Sequence, residues 1–306
     1  MENASDEKVN VRPRYVDILT NGGFKALFGY EENKHVVMSI INVLLPEHRR
    51  VVDIDYIPTE HQGPVVGENK EFQYDFTCRD EAGTVFIVEL QTYKERNWFE
   101  RCVSYAARVY DRQNRRGEDY GVPPVYLIGL MDTEIDHPDK EFWADRYVSE
   151  YTFREKSCGD LLGETIVIIF AELVKFHKKR EECKSDLDKM LYLLRNMGHL
   201  KEQPEDLQQE VYTRIFDACE IAAFSDEKRA IYDKDMNDEK RRRGELAAAR
   251  EEGIEEGIEK GVEKGIEKGR EEGLNEAVKK MLAAGLPAEQ IASIMMIPIE
   301  QIEDLK

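Results

Sequence analysis

Two runs rich in β-branched and aromatic residues, Glu71–Cys78 and Thr84–Gln91, flank the turn-forming stretch Arg79-Asp80-Glu81-Ala82-Gly83, which is the pattern of a β-hairpin. With Glu81-Ala82-Gly83 as a three-residue loop and Gly83 in the left-handed region, Asp80 pairs with Thr84. Counting outward from that pair places Asp75 opposite Glu89. Gln91, two residues further on, projects from the same face. Two carboxylates and an amide therefore share a face otherwise made of Val85 and Ile87. Charge on so apolar a strand has to be paired, bound to metal or turned to water. Facing carboxylates also repel, and a divalent cation relieves that repulsion. Oxygen donors of this kind suit Mg²⁺ or Mn²⁺. The plainer alternative is an ordinary hairpin that shows its carboxylates to solvent, and spacing alone leaves both open.

Other segments accompany the hairpin in a fixed order. Phe24-Lys25-Ala26-Leu27-Phe28-Gly29, with Glu32-Asn33-Lys34 after it, comes first. Tyr56-Ile57-Pro58-Thr59-Glu60, Gly63 and Lys70 follow. Arg101 with Tyr105, Gln113 with Gly117, and Pro124-Val125-Tyr126 come after the hairpin. Over roughly residues 17–180 this set resembles the PD-(D/E)XK nuclease superfamily, and within it the Rpn-like family of recombination-promoting nucleases and transposases. The resemblance implies an α/β fold with a restriction-endonuclease-like mixed sheet flanked by helices. It implies a divalent-metal-dependent DNA endonuclease linked to recombination or transposition. Asp75 and Glu89 would then hold Mg²⁺ (or Mn²⁺) and act with Gln91 on the phosphodiester.

Gln91 stands where the superfamily usually has Lys, as is common in the Rpn-like group. A Lys there positions the attacking water and stabilises developing charge, whereas Gln orients a water without adding charge. Lys70 or Lys94 is expected to supply the missing charge. Asn21 replaces an Asp frequent in the family, which leaves Glu31 and Glu32 as a source for a third carboxylate. The bland alternative for that pair is a solvated turn before a helix at 33–45.

The net charge of −19 opposes polyanion binding at long range. Locally the balance reverses. Lys94, Arg96, Arg101, Arg108, Arg112, Arg115 and Arg116 face only Glu95, Glu100 and Asp111 between positions 94 and 116. Arg101, Arg108, Arg112 and Arg115 have helical spacing, with Tyr105 interleaved. Together with Lys94 they are expected to bind DNA phosphates without reading sequence. An amphipathic helix that packs its aromatics on the sheet is the competing reading.

The hydrophobic pattern suggests helices near 16–29 and 33–46 and a strand around Val51–Ile57. Beyond the hairpin and basic helix come strands at Pro124–Met131, Tyr147–Arg154 and Glu164–Ala171. We read residues 1–178 as the nuclease-like core and 179–243 as a helical subdomain. Residues 274–306 read as a helix-turn-helix-like tail that lacks basic residues between Pro287 and Gln301. An all-α C-terminal extension thus follows the α/β core. Between them, in 244–273, Gly253, Gly257, Gly261, Gly265, Gly269 and Gly273 recur every four residues. Six glycines cost a helix about 6 kcal/mol, so this tract is expected to be a linker or a weak helix serving a homo-oligomer. The longest apolar run, Thr165–Phe170, is too short to span a bilayer, and no membrane partner is expected. The five scattered cysteines suggest a cytoplasmic, reduced setting. A catalytically weak or inactive nuclease-fold scaffold is the alternative to an enzyme.

Overall fold

The computed structural model describes residues 13–57, 60–61, 72–73, 75–114 and 121–305. Helices α1 (Asn21–Phe28) and α2 (Lys34–Leu44) lead into strands β1 (Asp55–Tyr56), β2 (Glu60–His61), β3 (Phe72–Gln73), β4 (Phe76–Arg79) and β5 (Val85–Gln91). Helix α3 (Trp98–Gln113) and strand β6 (Val125–Met131) follow, then α4 (Lys140–Trp143), β7 (Val148–Arg154) and β8 (Leu161–Glu172). The remaining helices are α5 (Asp186–Asn196), α6 (Glu210–Cys219), α7 (Asp226–Ala283), α8 (Ala288–Met295) and α9 (Ile299–Glu303). Helix α1 starts at Asn21, later than residue 16, because the Thr20 hydroxyl caps it by accepting the Gly23 N–H at 3.0 Å.

Six strands form one mixed sheet in the order β1-β4-β5-β6-β8-β7, and β2 pairs with β3 separately. β4 and β5 are antiparallel, whereas β5, β6 and β8 run parallel and occupy the centre. All seven residues of β5 and all seven of β6 are buried, as strands covered on both faces must be. On one face Phe86, Val88, Leu90, Tyr126, Ile128 and Ile169 join the large core shared with Phe24, Leu27, Ile40, Leu191 and Phe216. On the other, Val85, Ile87, Leu127 and Phe170 pack against Trp98, Cys102, Ala106 and Val109 of α3. Gly129 admits this close packing, since a Cβ there would lie 2.7 Å from Phe170 Cδ1.

The chain divides into two compact units, the first ending at Glu239 and the second beginning at Lys240, both positions within α7. The glycine-repeat tract is helical. Opposite charges there pair one turn apart, Lys260 with Glu256 at 2.8 Å and Lys268 with Glu272 at 3.7 Å. Such pairs offset part of the glycine cost. In the second unit Val278, Ile291 and Ile302 form a small buried cluster. Gly285, with φ of 82°, ends the helix before Pro287.

Candidate metal and nucleic-acid site

The hairpin loop closes as its composition requires. Gly83 takes φ of 84°, and the Gly83 N–H donates to the Asp80 carbonyl at 3.0 Å. The Asp80 N–H donates to the Thr84 carbonyl at 3.0 Å, and the Thr84 N–H to Asp80 Oδ1 at 2.8 Å. The register then runs Arg79↔Val85, Cys78↔Phe86, Thr77↔Ile87 and Phe76↔Val88. One further step brings Asp75 opposite Glu89, just beyond the end of β4.

The two acidic residues are tied reciprocally through backbone groups. The Leu90 N–H donates to Asp75 Oδ2 at 2.9 Å, and the Asp75 N–H donates to Glu89 Oε1 at 3.3 Å. Glu89 is 2 % exposed. Asp75 is exposed as a residue, but the bond to Leu90 turns its carboxyl inward. Burial lifts the Asp75 carboxyl above the usual carboxylate range, against the Leu90 N–H and the charges of Arg101 and Lys25. Glu89 is lifted well above its ordinary value, by burial first and the neighbouring Asp75 charge second. Burial, followed by the Glu89 charge, also pushes the Cys102 thiol of α3 up, which marks how closely that helix overlies the carboxylate. Thr77, on the same face of β4, is buried with its hydroxyl unpartnered among the described residues.

No cationic side chain among the described residues lies within ion-pair distance of Asp75 or Glu89. Two inward-facing carboxylates with raised pKa values are a donor set that a divalent cation fits. Bound metal would hold both ionised and offset their repulsion. Among the described residues no group of three His, Cys, Asp or Glu side chains converges. The pair therefore suits an ion that keeps waters and takes substrate oxygens as further ligands, as Mg²⁺ does.

Gln91 ends β5 on the same face and is 3 % exposed. Its amide oxygen accepts from Arg101 Nη2 at 3.2 Å, and its Nε2 donates to the Tyr93 carbonyl. Arg101 Nη1 lies 2.9 Å from Glu95 Oε2, and its guanidinium stands 4.8 Å from the Trp98 ring centroid and 5.9 Å from that of Tyr105.

A model of the PD-(D/E)XK nuclease family transposases matches residues 19–249. The chain belongs to that family. The match spans α1, the hairpin, the central parallel strands and α3, and it extends into α7. Neither the curated proteins nor the solved structures contain a match.

In this nuclease-family chain the other expected site residues are dispersed. Lys94 is exposed and lines a cleft of about 340 Å³ with Glu134, His137, Lys140, Trp143 and Lys175. Arg108 and Tyr105 are half-buried and Arg112 is exposed on α3, while Lys70 and Arg115 lie outside the described residues. At 100° per residue, Arg101, Tyr105, Arg108 and Arg112 fall within about 60° of one another on the helix. Glu32 stands 3.5 Å from Lys228 Nζ, and the Asn21 N–H donates to Glu239 Oε2 at 3.1 Å. Sequence spacing gives no sign of the inward turn of Arg101 onto Gln91. Ten residues separate them, and helical spacing says nothing about which flank of α3 lies over the end of β5.

Among the described residues no helix is long and apolar enough to cross a membrane. All five cysteines are free, and four of them are buried.

Proposed function

We propose that this chain is a divalent-metal-dependent endonuclease that hydrolyses DNA phosphodiester bonds in recombination or transposition. The observation that carries the reading is the pair Asp75 and Glu89, opposed across the hairpin, with raised carboxyl pKa values and no described cation within ion-pair distance. In this reading Asp75 and Glu89 hold Mg²⁺ or Mn²⁺. The bound ion supplies Lewis-acid polarisation of the phosphate and an acidified water.

The protein's own groups do the rest. Gln91, fixed by its two amide hydrogen bonds, orients the attacking water. Lys94, Arg108 and Arg112 bind flanking phosphates, a contact that positions the duplex without reading its bases. The exposed Ile254, Ile258, Val262 and Ile266 of α7 support the proposal that copies associate through the C-terminal helices. The scattered free thiols support a cytoplasmic setting.

Relaxation of supercoiled plasmid with Mg²⁺ or Mn²⁺ tests the activity. The wild type is expected to nick, and Asp75→Asn and Glu89→Gln are expected to lose at least about two orders of magnitude in rate. Metal-dependent nicking that survives both substitutions would refute the site. A wild type that binds DNA but never cuts it would favour a non-cleaving scaffold, the reading that Gln91 and the acidic net charge support.

A further inference from the structure

We propose that Arg101 is a positioning residue. It fixes the amide of Gln91 and brings to the carboxylate pair the positive charge that a lysine at position 91 would bring. The inference rests on the nuclease reading above.

Its basis is geometric. Arg101 Nη2 donates to Gln91 Oε1 at 3.2 Å, while Gln91 Nε2 donates to the Tyr93 carbonyl. A cation on the oxygen and a carbonyl on the nitrogen define one amide orientation, because a flip would set donor against donor and acceptor against acceptor. One hydrogen of Nε2 then has no acceptor among the described residues, and it is available to a water. The guanidinium is itself held. Nη1 lies 2.9 Å from Glu95 Oε2, and the plane stands over Trp98 at 4.8 Å. Its side chain is 33 % exposed, with Nη2 hydrogen-bonded to Gln91 and Nη1 in ion-pair contact with Glu95, unlike a phosphate contact on the helix surface.

The neighbouring cations are placed otherwise. Lys25 pairs with Asp235 at 3.0 Å, and Lys94 lines the cleft with Glu134 and His137. Arg101 is the described cation that reaches Gln91. Arginine also suits the task, since its planar fork holds two partners in fixed directions.

The test compares wild type, Arg101→Met, Arg101→Lys, Gln91→Lys and the double variant Gln91→Lys/Arg101→Met, all as full chains. Single-turnover cleavage in Mn²⁺ and DNA affinity in Ca²⁺ are read separately. Arg101→Met is expected to slow cleavage about 100-fold, the loss typical of one preorganised donor, with DNA affinity within about twofold. Arg101→Lys, which keeps charge but loses the fork, is expected to recover part of the rate. In the Gln91→Lys background the Arg101→Met penalty is expected to shrink below about fivefold, because the charge is already supplied.

Two results would overturn the inference. One is weaker DNA binding by Arg101→Met with an unchanged rate at saturation, which makes Arg101 a phosphate contact. The other is an equal loss in both backgrounds, which makes it merely structural. A wild type that never cleaves defeats the nuclease reading instead. The positioning claim is then read from the side-chain amide pair of Gln91 in glutamine-labelled protein, assigned by its loss in Gln91→Lys. Arg101→Met is expected to shift and average that pair, and an unmoved pair would refute the claim.

Discussion

Replacing Glu89 by Gln separates a carboxylate kept for metal from one kept for the fold. Glu89 is 2 % exposed, faces Asp75, and has no cationic partner among the described residues. The amide of Gln is nearly isosteric and keeps an oxygen to accept the Asp75 N–H. In metal-free protein near neutral pH the substitution relieves the burial penalty of that carboxyl, about 1–3 kcal/mol. For a unit of this size that raises the melting temperature by about 2–10 °C.

The pH dependence has a defined sign. Both carboxyl pKa values are raised in the folded protein, so the native state binds more protons than the unfolded one. The pair's own contribution to stability is then fully present below the unfolded-state carboxylate range, near pH 4. It falls as pH rises through the folded-state values. The advantage of Glu89→Gln should accordingly vanish near pH 4. Saturating Mn²⁺ reverses the order. At 100 times the dissociation constant it stabilises wild type by about 2.7 kcal/mol and leaves the variant nearly unmoved. Differential scanning calorimetry in EDTA and in Mn²⁺ reads all three effects. A variant that melts lower than wild type in EDTA at pH 7–8, or an equal Mn²⁺ gain in both proteins, would refute the reasoning.

Three variants elsewhere test the surrounding fold. Gly129→Ala places a Cβ 2.7 Å from Phe170 Cδ1 and 3.4 Å from Trp98 Cζ2. It should cost about 1–3 kcal/mol in denaturant unfolding, and an unchanged midpoint would contradict the α3 packing. Glu172, 1 % exposed, accepts from the Ile135 N–H and bonds His137 and Lys175 at 3.0 and 3.3 Å. Glu172→Ala should therefore destabilise by about 3–5 kcal/mol, measured the same way. In α7 an added Cβ at Gly253, Gly257, Gly261, Gly265, Gly269 or Gly273 meets no atom within 4 Å. Converting all six to Ala should add up to about 1 kcal/mol of helix stability each. Helical ellipticity should then persist to higher temperature, and a drop would show that the glycines serve a close contact.

The hairpin was legible because its constraints are local and redundant. Gly83 supplies the left-handed residue, Asp80 closes the loop on Thr84, and β-periodicity carries the count to Asp75 and Glu89. The central strands were equally plain, since Val125–Met131 and Thr165–Phe170 are continuous apolar runs that only a doubly covered sheet accommodates. What sequence could not supply was the seating of α3 on that sheet. That seating decides that Arg101 turns to Gln91 while Phe99 and Val103 remain exposed. In the glycine tract the cost of six glycines is only one side of the balance, since the opposite-charge pairs Glu256–Lys260 and Lys268–Glu272 favour the helix.

The central claim is that Asp75 and Glu89 form a metal-holding pair, and anomalous diffraction from crystals soaked in Mn²⁺ tests it most directly. A peak about 2.1 Å from a carboxylate oxygen of each residue, absent from Asp75→Asn crystals, is the predicted result. A Mn²⁺ peak bound elsewhere, or one that persists between Glu89 and other ligands when Asp75 is replaced, would contradict it.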